Sequence, residues 1–346
     1  MVEWKELGDF LNFEQPTPYL VKSTEYDNSY KTPVLTAGQS LLLGYTNETD
    51  GIYEADKDNP CIIFDDFTTS FHWIDFPFKV KSSAMKMLKP KKNTIFRYVY
   101  YAMQQIQFVP QQHQRHWISK YSHFTIPIPS LEEQKRIVGI LDTFTDSIEN
   151  LKQQIAQRRK QYEFYRDCIF KHIDRKETTW KKLTEIAEIF KGPYITKKDS
   201  KEGDIPVVMG GQKAAYYIDN FNSEGESIVI SRSGINAGYV SFWNQPIFVS
   251  DGYRIDNKDI MVKKYLFYFL KSIEGIINSS KKGAGVPHVQ SKYLLNILIP
   301  VPPLSEQSRI VSILDTFEAS ITNLEAQLEQ RQKQYEYYRN KLLTFE

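Results

Sequence analysis

Residues 126–170 align without a gap on residues 299–343, and 27 of the 45 positions are identical. The offset is 173 residues, half of the chain's 346, so the polypeptide is two copies of one unit. Fainter echoes extend the duplication. His116-x-x-Ser119-Lys120-Tyr121 recurs as His288-x-x-Ser291-Lys292-Tyr293, and Trp4-Lys5-x-Leu7 recurs as Trp180-Lys181-x-Leu183. Whatever this chain folds into, it must build the same arrangement twice, as domain, long segment, domain, long segment.

The repeated segment carries apolar residues at alternating spacings of 3 and 4, the mark of a helix with one sticky stripe. In the first copy the seam reads Ile137, Leu141, Phe144, Ile148, Leu151, Ile155, Arg158, Tyr162, Tyr165 and Ile169. In the second it reads Ile310, Leu314, Phe317, Ile321, Leu324, Leu328, Arg331, Tyr335, Tyr338 and Leu342. Ser130 and Glu133 have capping-box spacing, and Pro303 stands at the start of the second helix, where proline is tolerated. A helix of about 40 residues is on the order of 60 Å long, so it must protrude as a spacer. Its stripe needs cover, and the twin helix supplies a matching one, which predicts an intramolecular coiled coil. Arg158 and Arg331 hold equivalent seam positions that would fix register, and pairing about a pseudo-twofold axis favours antiparallel helices. The alternative is a seam between two chains.

The expected fold class is α/β: two globular α/β domains, at 1–128 and 175–302, separated by two long antiparallel helices, at 129–174 and 303–346, with pseudo-twofold symmetry. The domains diverge far more than the helices but run in one coarse order: short strands broken by Gly, Asn and Asp turns, a helix, a basic segment and a proline-rich exit. Tyr98, Tyr101, Met103 and Ile106, with Tyr265, Tyr268, Leu270 and Ile273, are expected in the cores.

With 44 Lys+Arg against 42 Asp+Glu, the net charge of +2 excludes a histone-like polycation and a strongly acidic scaffold. The total hides segregation. Residues 1–75 hold 14 acids and 4 bases, whereas residues 76–131 hold 9 bases and no acid. Residues 260–305 repeat the trend, with Lys263, Lys264, Lys271, Lys281, Lys282 and Lys292 against Glu274. Two polyanion-binding faces would follow, one per domain, unless the acidic and basic stretches merely neutralise each other. Candidate DNA-contacting residues in the first domain are Lys79, Lys81, Gln112, Gln114, Arg115, His116 and Lys120. Those of the second are Arg232, Ser233, Asn236, Lys281, Lys282, His288 and Lys292. Gln and Arg make bidentate contacts to adenine and guanine edges, and the glycines of Ser231-Arg232-Ser233-Gly234 and Lys281-Lys282-Gly283-Ala284-Gly285 allow close backbone approach to phosphate. Each of these stretches also reads as an ordinary exposed loop or turn.

Signatures of chemistry are missing. No phosphate loop, HExxH, GxSxG or GxGxxG is present, and Asn244-Gln245-Pro246-Ile247 only superficially matches the Asn-Pro-Pro-aromatic motif of amino-methyltransferases. His113 and His116 lack partners for a metal. Asp65-Asp66, after the apolar run Ile62-Ile63-Phe64, is the best carboxylate pair, read as a strand-end turn or polar contact. A metal-dependent nuclease using Asp65 and Asp66 stays as one alternative, and a structural coiled-coil dimer as another. No metal site is expected. Two cysteines, Cys61 and Cys168, no basic-apolar leader and no run of about 18 apolar residues point to a cytoplasmic protein without a membrane association.

Two divergent domains alternating with two nearly identical helices, each entered through Pro-x-Pro-x-Leu-x-Glu-Gln, resemble the specificity subunit of type I restriction-modification systems along the full length. The most specific stretches are IPIPSLEEQKRIVGILD at 126–142, IPVPPLSEQSRIVSILD at 299–315 and the Arg-x-Lys-Gln-Tyr-Glu-x-Tyr-Arg tracts at 158–166 and 331–339. Residues 33–46 and 64–69 also look like one recurrent type of target-recognition domain. The resemblance implies a non-catalytic reader of double-stranded DNA, each domain recognising half of a bipartite site and the helices acting as a ruler. It further implies two modification subunits that methylate adenine from S-adenosylmethionine, and, where the system has them, two restriction subunits driven by ATP and Mg. None of these cofactors would be bound by this chain.

Overall fold

The computed structural model describes residues 2–38, 40–110, 114–173, 177–209, 213–283 and 285–345. The first copy runs β1 (Glu3–Glu6), α1 (Leu7–Phe10), β2 (Leu11–Glu14), β3 (Thr32–Leu35), β4 (Leu42–Thr46), β5 (Cys61–Asp65), β6 (Phe71–Ile74), β7 (Lys79–Val80), β8 (Met85–Pro90), α2 (Phe96–Met103), β9 (Thr125–Ile128) and α3 (Leu131–Lys171). The second runs β10 (Thr179–Lys182), α4 (Leu183–Ile186), β11 (Ala187–Lys191), β12 (Ile205–Val208), β13 (Tyr217–Ile218), β14 (Ser227–Ser231), β15 (Val240–Trp243), β16 (Phe248–Val249) and β17 (Gly252–Asn257). It continues through α5 (Lys263–Ser272), α6 (Glu274–Ser279), α7 (Ser291–Leu295), β18 (Leu298–Val301) and α8 (Leu304–Leu343).

The chain divides into two compact units, Met1–Asn150 with Leu328–Glu346, and Leu151–Gln327. Each unit thus owns one globular head, half of α3 and half of α8. In the first, β2-β8-β5-β6 form an antiparallel sheet, β4-β3-β7 a smaller one with β3 and β7 parallel, and β1 pairs with β9. In the second, β11-β17-β14-β15, β13-β12-β16 and β10-β18 repeat that scheme strand for strand, down to the parallel pair β12-β16. The sequences of the heads hardly align, yet the wiring is identical. The reason lies in the central strands: Cys61 to Phe64 and Ser227 to Ser231 are unbroken buried runs, which suit a strand covered on both faces. The ribbons flanking the helices are matched even in register, with Trp4 opposite Pro127 and Trp180 opposite Pro300. Proline cannot donate to a ladder, so it fits these two-stranded ribbons.

Each head packs on its helix pair through α2 or α5. Tyr98, Tyr101 and Met103 pack with Ile137, Leu141 and Leu343 in the first unit, and Tyr265, Tyr268 and Leu270 with Phe170, Ile310 and Leu314 in the second. The tyrosine hydroxyls find acceptors, Tyr98 on Pro127 O at 2.7 Å and Tyr265 on Pro300 O at 3.0 Å. Helix starts are alike too: Gln134 and Gln307 each donate to the carbonyl five residues earlier, at 2.9 Å. Ser130 Oγ accepts from Glu133 N at 3.2 Å, and Pro303, at the equivalent position, stands one residue ahead of α8.

Within each unit the two helices are antiparallel and belong to one chain. In the second unit, going from Arg159 to Tyr165 along α3 passes α8 backwards, since Arg159 pairs with Glu325, Tyr162 donates to Glu318, and Tyr165 stacks on Phe317 at 5.4 Å. In the first unit Phe144 stacks on Tyr338 at 5.3 Å, the same pair with the repeats exchanged. The seam arginines do likewise: Arg158 lies over Phe317 at 5.9 Å and Arg331 over Phe144 at 5.7 Å. Leu141, Leu151, Ile155 and Leu314 are buried, and Ile148, Ile321, Leu324, Leu328, Tyr162 and Tyr335 half-buried, as a two-helix seam with one open side requires.

Candidate nucleic-acid interface

Both heads bring the turn after their central strand against the segment that leads to the exit ribbon. In the first unit the turn after β5 meets residues 114–117, because His116 N donates to Asp66 O at 2.9 Å. In the second, the turn after β14 meets residues 287–289: Gly234 N donates to Pro287 O at 3.1 Å and Val289 N to Arg232 O at 2.9 Å. Backbone bridges join His288 to both Ser233 and Lys282. The two loops singled out in the second half of the sequence therefore form one surface lobe.

That lobe is organised by Asp251, at the Asp-Gly turn before β17. Its carboxylate accepts from Arg232 Nη1 at 2.6 Å and from the Ser233 hydroxyl. Asp251 holds φ at 49°, a left-handed conformation that a side chain rarely adopts, so these bonds oppose a local strain. The Asp251 carboxylate also holds the Arg232 guanidinium above its ordinary pKa, against the opposing effect of burial. Gly238, at φ 94°, is needed for another reason, since a Cβ there would meet Asn278 N at 2.7 Å. Gly234 and Gly283 also hold positive φ, but a Cβ on Gly234 would point into open space. Asn236, Lys282 and Lys292 are exposed, Lys281 is half-buried beside Asn278 Oδ1 at 3.3 Å, and His288 is half-buried. Sequence reading missed Asp251 and the exposed apolar tips Ile235 and Val286; the dipeptide Asp251-Gly252 was the only signal.

The first head corrects two expectations. Lys79 is 1% exposed, with its Nζ 3.0 Å from Glu48 and 2.6 Å from Asp50 O, so it is an internal strut. Burial works against the Glu48 charge, yet the Ser23 amide, Lys79 and the Lys22 amide hold its carboxyl below the usual value. His116 is fully buried, its ring 5.2 Å from Phe108. Neither offers a surface for a phosphate. Other bases of this segment are also engaged: Lys86 with Asp66 at 3.3 Å, Lys89 with Glu14 at 2.7 Å, and Arg97 with Asp142 at 2.7 Å. The acidic stretch thus engages Lys79, Lys86 and Lys89, and α3 engages Arg97, out of what reads as a basic face. Lys81, Gln114 and Arg115 are exposed, and Lys120 is half-buried over Phe108. Gln112, with Gln111 and His113, lies outside the described residues.

Asp65 and Asp66 are also structural. Asp65 Oδ1 accepts from the Phe67 and Thr68 amides at 2.8 and 2.9 Å, closing the turn. Asp66, 1% exposed, accepts from the His116 and Trp117 amides at 3.1 and 2.8 Å and faces Lys86. Burial pushes the Cys61 thiol up to about 12. Among the described residues, no group of three His, Cys, Asp or Glu side chains could hold a metal ion, and no helix is long and apolar enough to cross a membrane.

Comparison with known proteins follows the duplication. A family model described as the type I restriction modification DNA specificity domain matches twice, at residues 1–158 and 176–333. The specificity subunit of the Escherichia coli type I restriction enzyme EcoR124I/EcoR124II is 39% identical over 99% of this chain and 94% of that one. A putative type I restriction enzyme specificity subunit of Haemophilus influenzae is 30% identical over 99% of this chain and 96% of that one. In structure, the type I restriction-modification S subunit of M. genitalium matches with a TM-score of 0.68 at 16% identity, covering 100% of this chain and 97% of that one.

Proposed function

The chain belongs to the type I restriction modification DNA specificity family, and from that premise we propose that it is the sequence-reading subunit of such a complex. Each head reads one half of a bipartite duplex site, and the helix pair sets the distance between the halves. The observation that carries this reading is the double family match, each copy ending on the same long helix while the heads diverge. Two heads on one chain multiply discrimination, because mismatches at well-separated positions cost about 1–3 kcal/mol each and add.

In the second head Arg232 is the leading base reader: Asp251 orders its guanidinium, leaving donors that suit the O6 and N7 edge of guanine. Lys282 and Lys292 would neutralise phosphates there, as Lys81 and Arg115 would in the first head. The chain does no bond-making of its own in this reading. Two modification subunits supply adenine methylation with S-adenosylmethionine, restriction subunits supply ATP- and Mg-dependent cleavage, and the assembly works in the cytoplasm. The nuclease alternative loses its catalytic pair, since Asp65 and Asp66 serve the turn and the Lys86 strut.

Methylome sequencing of cells carrying this chain with the modification subunit of its own system tests the reading. The expected result is N6-methyladenine at a single split motif with a constant gap. No split motif, in cells where both subunits are made, would overturn it.

A further inference from the structure

Each head is tied to its helix pair by one aspartate of the duplicated Ile-Leu-Asp-Thr-Phe segment. In the first unit Asp142 Oδ1 accepts from the Tyr101 hydroxyl at 2.5 Å and from Arg97 Nε at 2.7 Å, both on α2. In the second, its repeat counterpart Asp315 accepts from the Tyr268 hydroxyl and from Lys264 Nζ at 2.8 Å, both on α5. The tie continues into the sheets. Arg97 lies 4.6 Å from the Trp73 ring on β6, and Lys264 lies 5.7 Å from the Phe242 ring on β15, the strand wired in the same place. Both heads place an aromatic on this edge strand and a cation four residues before a tyrosine.

Stability alone does not call for this device. Apolar burial around Leu141 and Leu314 already holds α2 and α5 on the long helices. The ion pairs are partly exposed, with Arg97 at 23%, Asp142 at 36%, Lys264 at 30% and Asp315 at 38%, where such pairs add little to stability. What they add is direction. Hydrophobic contact is indifferent to rotation, whereas a charge-assisted hydrogen bond is not.

We propose that Asp142 and Asp315 are positioning residues that set the angle of each reading head on its helix pair and so restrict the half-site spacing the chain accepts. The inference rests on the DNA-reading function proposed above. One added base pair moves a half-site by about 3.4 Å and turns it by about 35°. A head locked in angle cannot follow that turn, and a head held by apolar contact alone can.

The two ties differ in a way that sharpens the test. Tyr268 has a second acceptor in Glu318 at 2.9 Å, and Tyr162 also donates to Glu318 at 3.3 Å. The repeat counterpart of Glu318 is Thr145, whose hydroxyl is 3.3 Å from that of Tyr101. The single Tyr268 proton cannot serve both carboxylates at once, so Glu318 is a reserve acceptor that the second tie has and the first lacks.

The experiment measures adenine methylation by the assembled complex of chain and modification subunit, on duplexes carrying the native gap or a gap one base pair longer or shorter. For Asp142→Asn the preference for the native gap is expected to fall about tenfold, equivalent to about 1.4 kcal/mol, with the bases of both half-sites unchanged. Tyr101→Phe, which keeps the packed ring, shifts the same way by less. Asp315→Asn alone shifts less than Asp142→Asn, and Asp315→Asn with Glu318→Gln matches it. If Asp142→Asn and Tyr101→Phe assemble and keep the wild-type preference, the proposal is wrong. If Asp142→Asn fails to assemble, Tyr101→Phe alone decides. A wild-type complex that methylates no split site defeats the DNA-reading function itself, a separate outcome.

Discussion

In the first head the basic segment is partly scaffold: Lys79 and Lys86 are each 1% exposed and clasp Glu48 and Asp66. In the second head none of the lysines between 260 and 305 is buried, and those that pair, Lys264 with Asp315 and Lys271 with Glu274, do so at half-exposed positions. The heads share their strand wiring, so the contrast does not come from the fold. It comes from where acids sit: the first head places Glu48 and Asp66 inside, and each demands an internal cation. A charge count along the sequence adds struts and surface cations together.

The contrast can be broken most severely at Asp66. Asp66→Ala leaves the buried Lys86 ammonium without its counter-ion, with only Gln15 Oε1 as acceptor, and takes the side-chain acceptor from the Trp117 amide, so urea unfolding should show the first head weakened by about 3–5 kcal/mol. A small change would mean that Lys86 is as free as the lysines of the second head. Next come Leu141→Ala and Leu314→Ala, both at fully buried repeat positions. Each should cost about 2–5 kcal/mol, and similar losses would show that the heads differ in charge but not in packing on the helices.

Arg232→Lys keeps the charge and loses the fork. Methylome sequencing should show one base of the second half-site relaxed by about 1–3 kcal/mol of discrimination, with the first half-site untouched. Replacing Lys282 with Ala should weaken DNA retention across all sequences and lower the salt slope by about one. Lys79→Met should not alter the salt slope, because Lys79 is not on the surface.

The smallest effect concerns what the halves share. Arg136 and Arg309 hold the carboxyls of Glu133 and Glu306 below their ordinary value of 4.5. A folded pKa below the unfolded one gives stability that is full above pH 4.5 and lost as pH falls through the folded value. Thermal unfolding should therefore drop slightly between neutral pH and about pH 3, and the Glu133→Gln, Glu306→Gln double variant should lose part of that drop.

The helices were legible because their information is local and periodic. The seam from Ile137 to Ile169 predicts which residues face a partner, and the repeat supplies the partner, so an antiparallel pairing with Arg158 and Arg331 inside it follows from symmetry. The buried tyrosines of α2 and α5 were legible for the same reason. The candidate interface was legible only in part. The meeting of Ser233 with His288 joins residues far apart in the chain, which no local pattern encodes. Lys79 and Lys81, two positions apart, would share a face if the strand ran on, yet β7 ends at Val80, so Lys79 is held inside by Glu48 and Asp50 while Lys81 lies exposed beyond the strand, and nothing nearby in the chain marks that end.

The order of letters, then, was enough to establish a duplicated chain, two self-complementary helices and a pair of divergent α/β heads, since periodicity and repetition survive without coordinates. Which cations lie inside, which aspartates hold an arginine or a tyrosine, and that two unlike heads use one wiring emerged only on folding. Burial and hydrogen bonding depend on neighbours brought in from far along the chain, and a side chain's charge acquires its role from them.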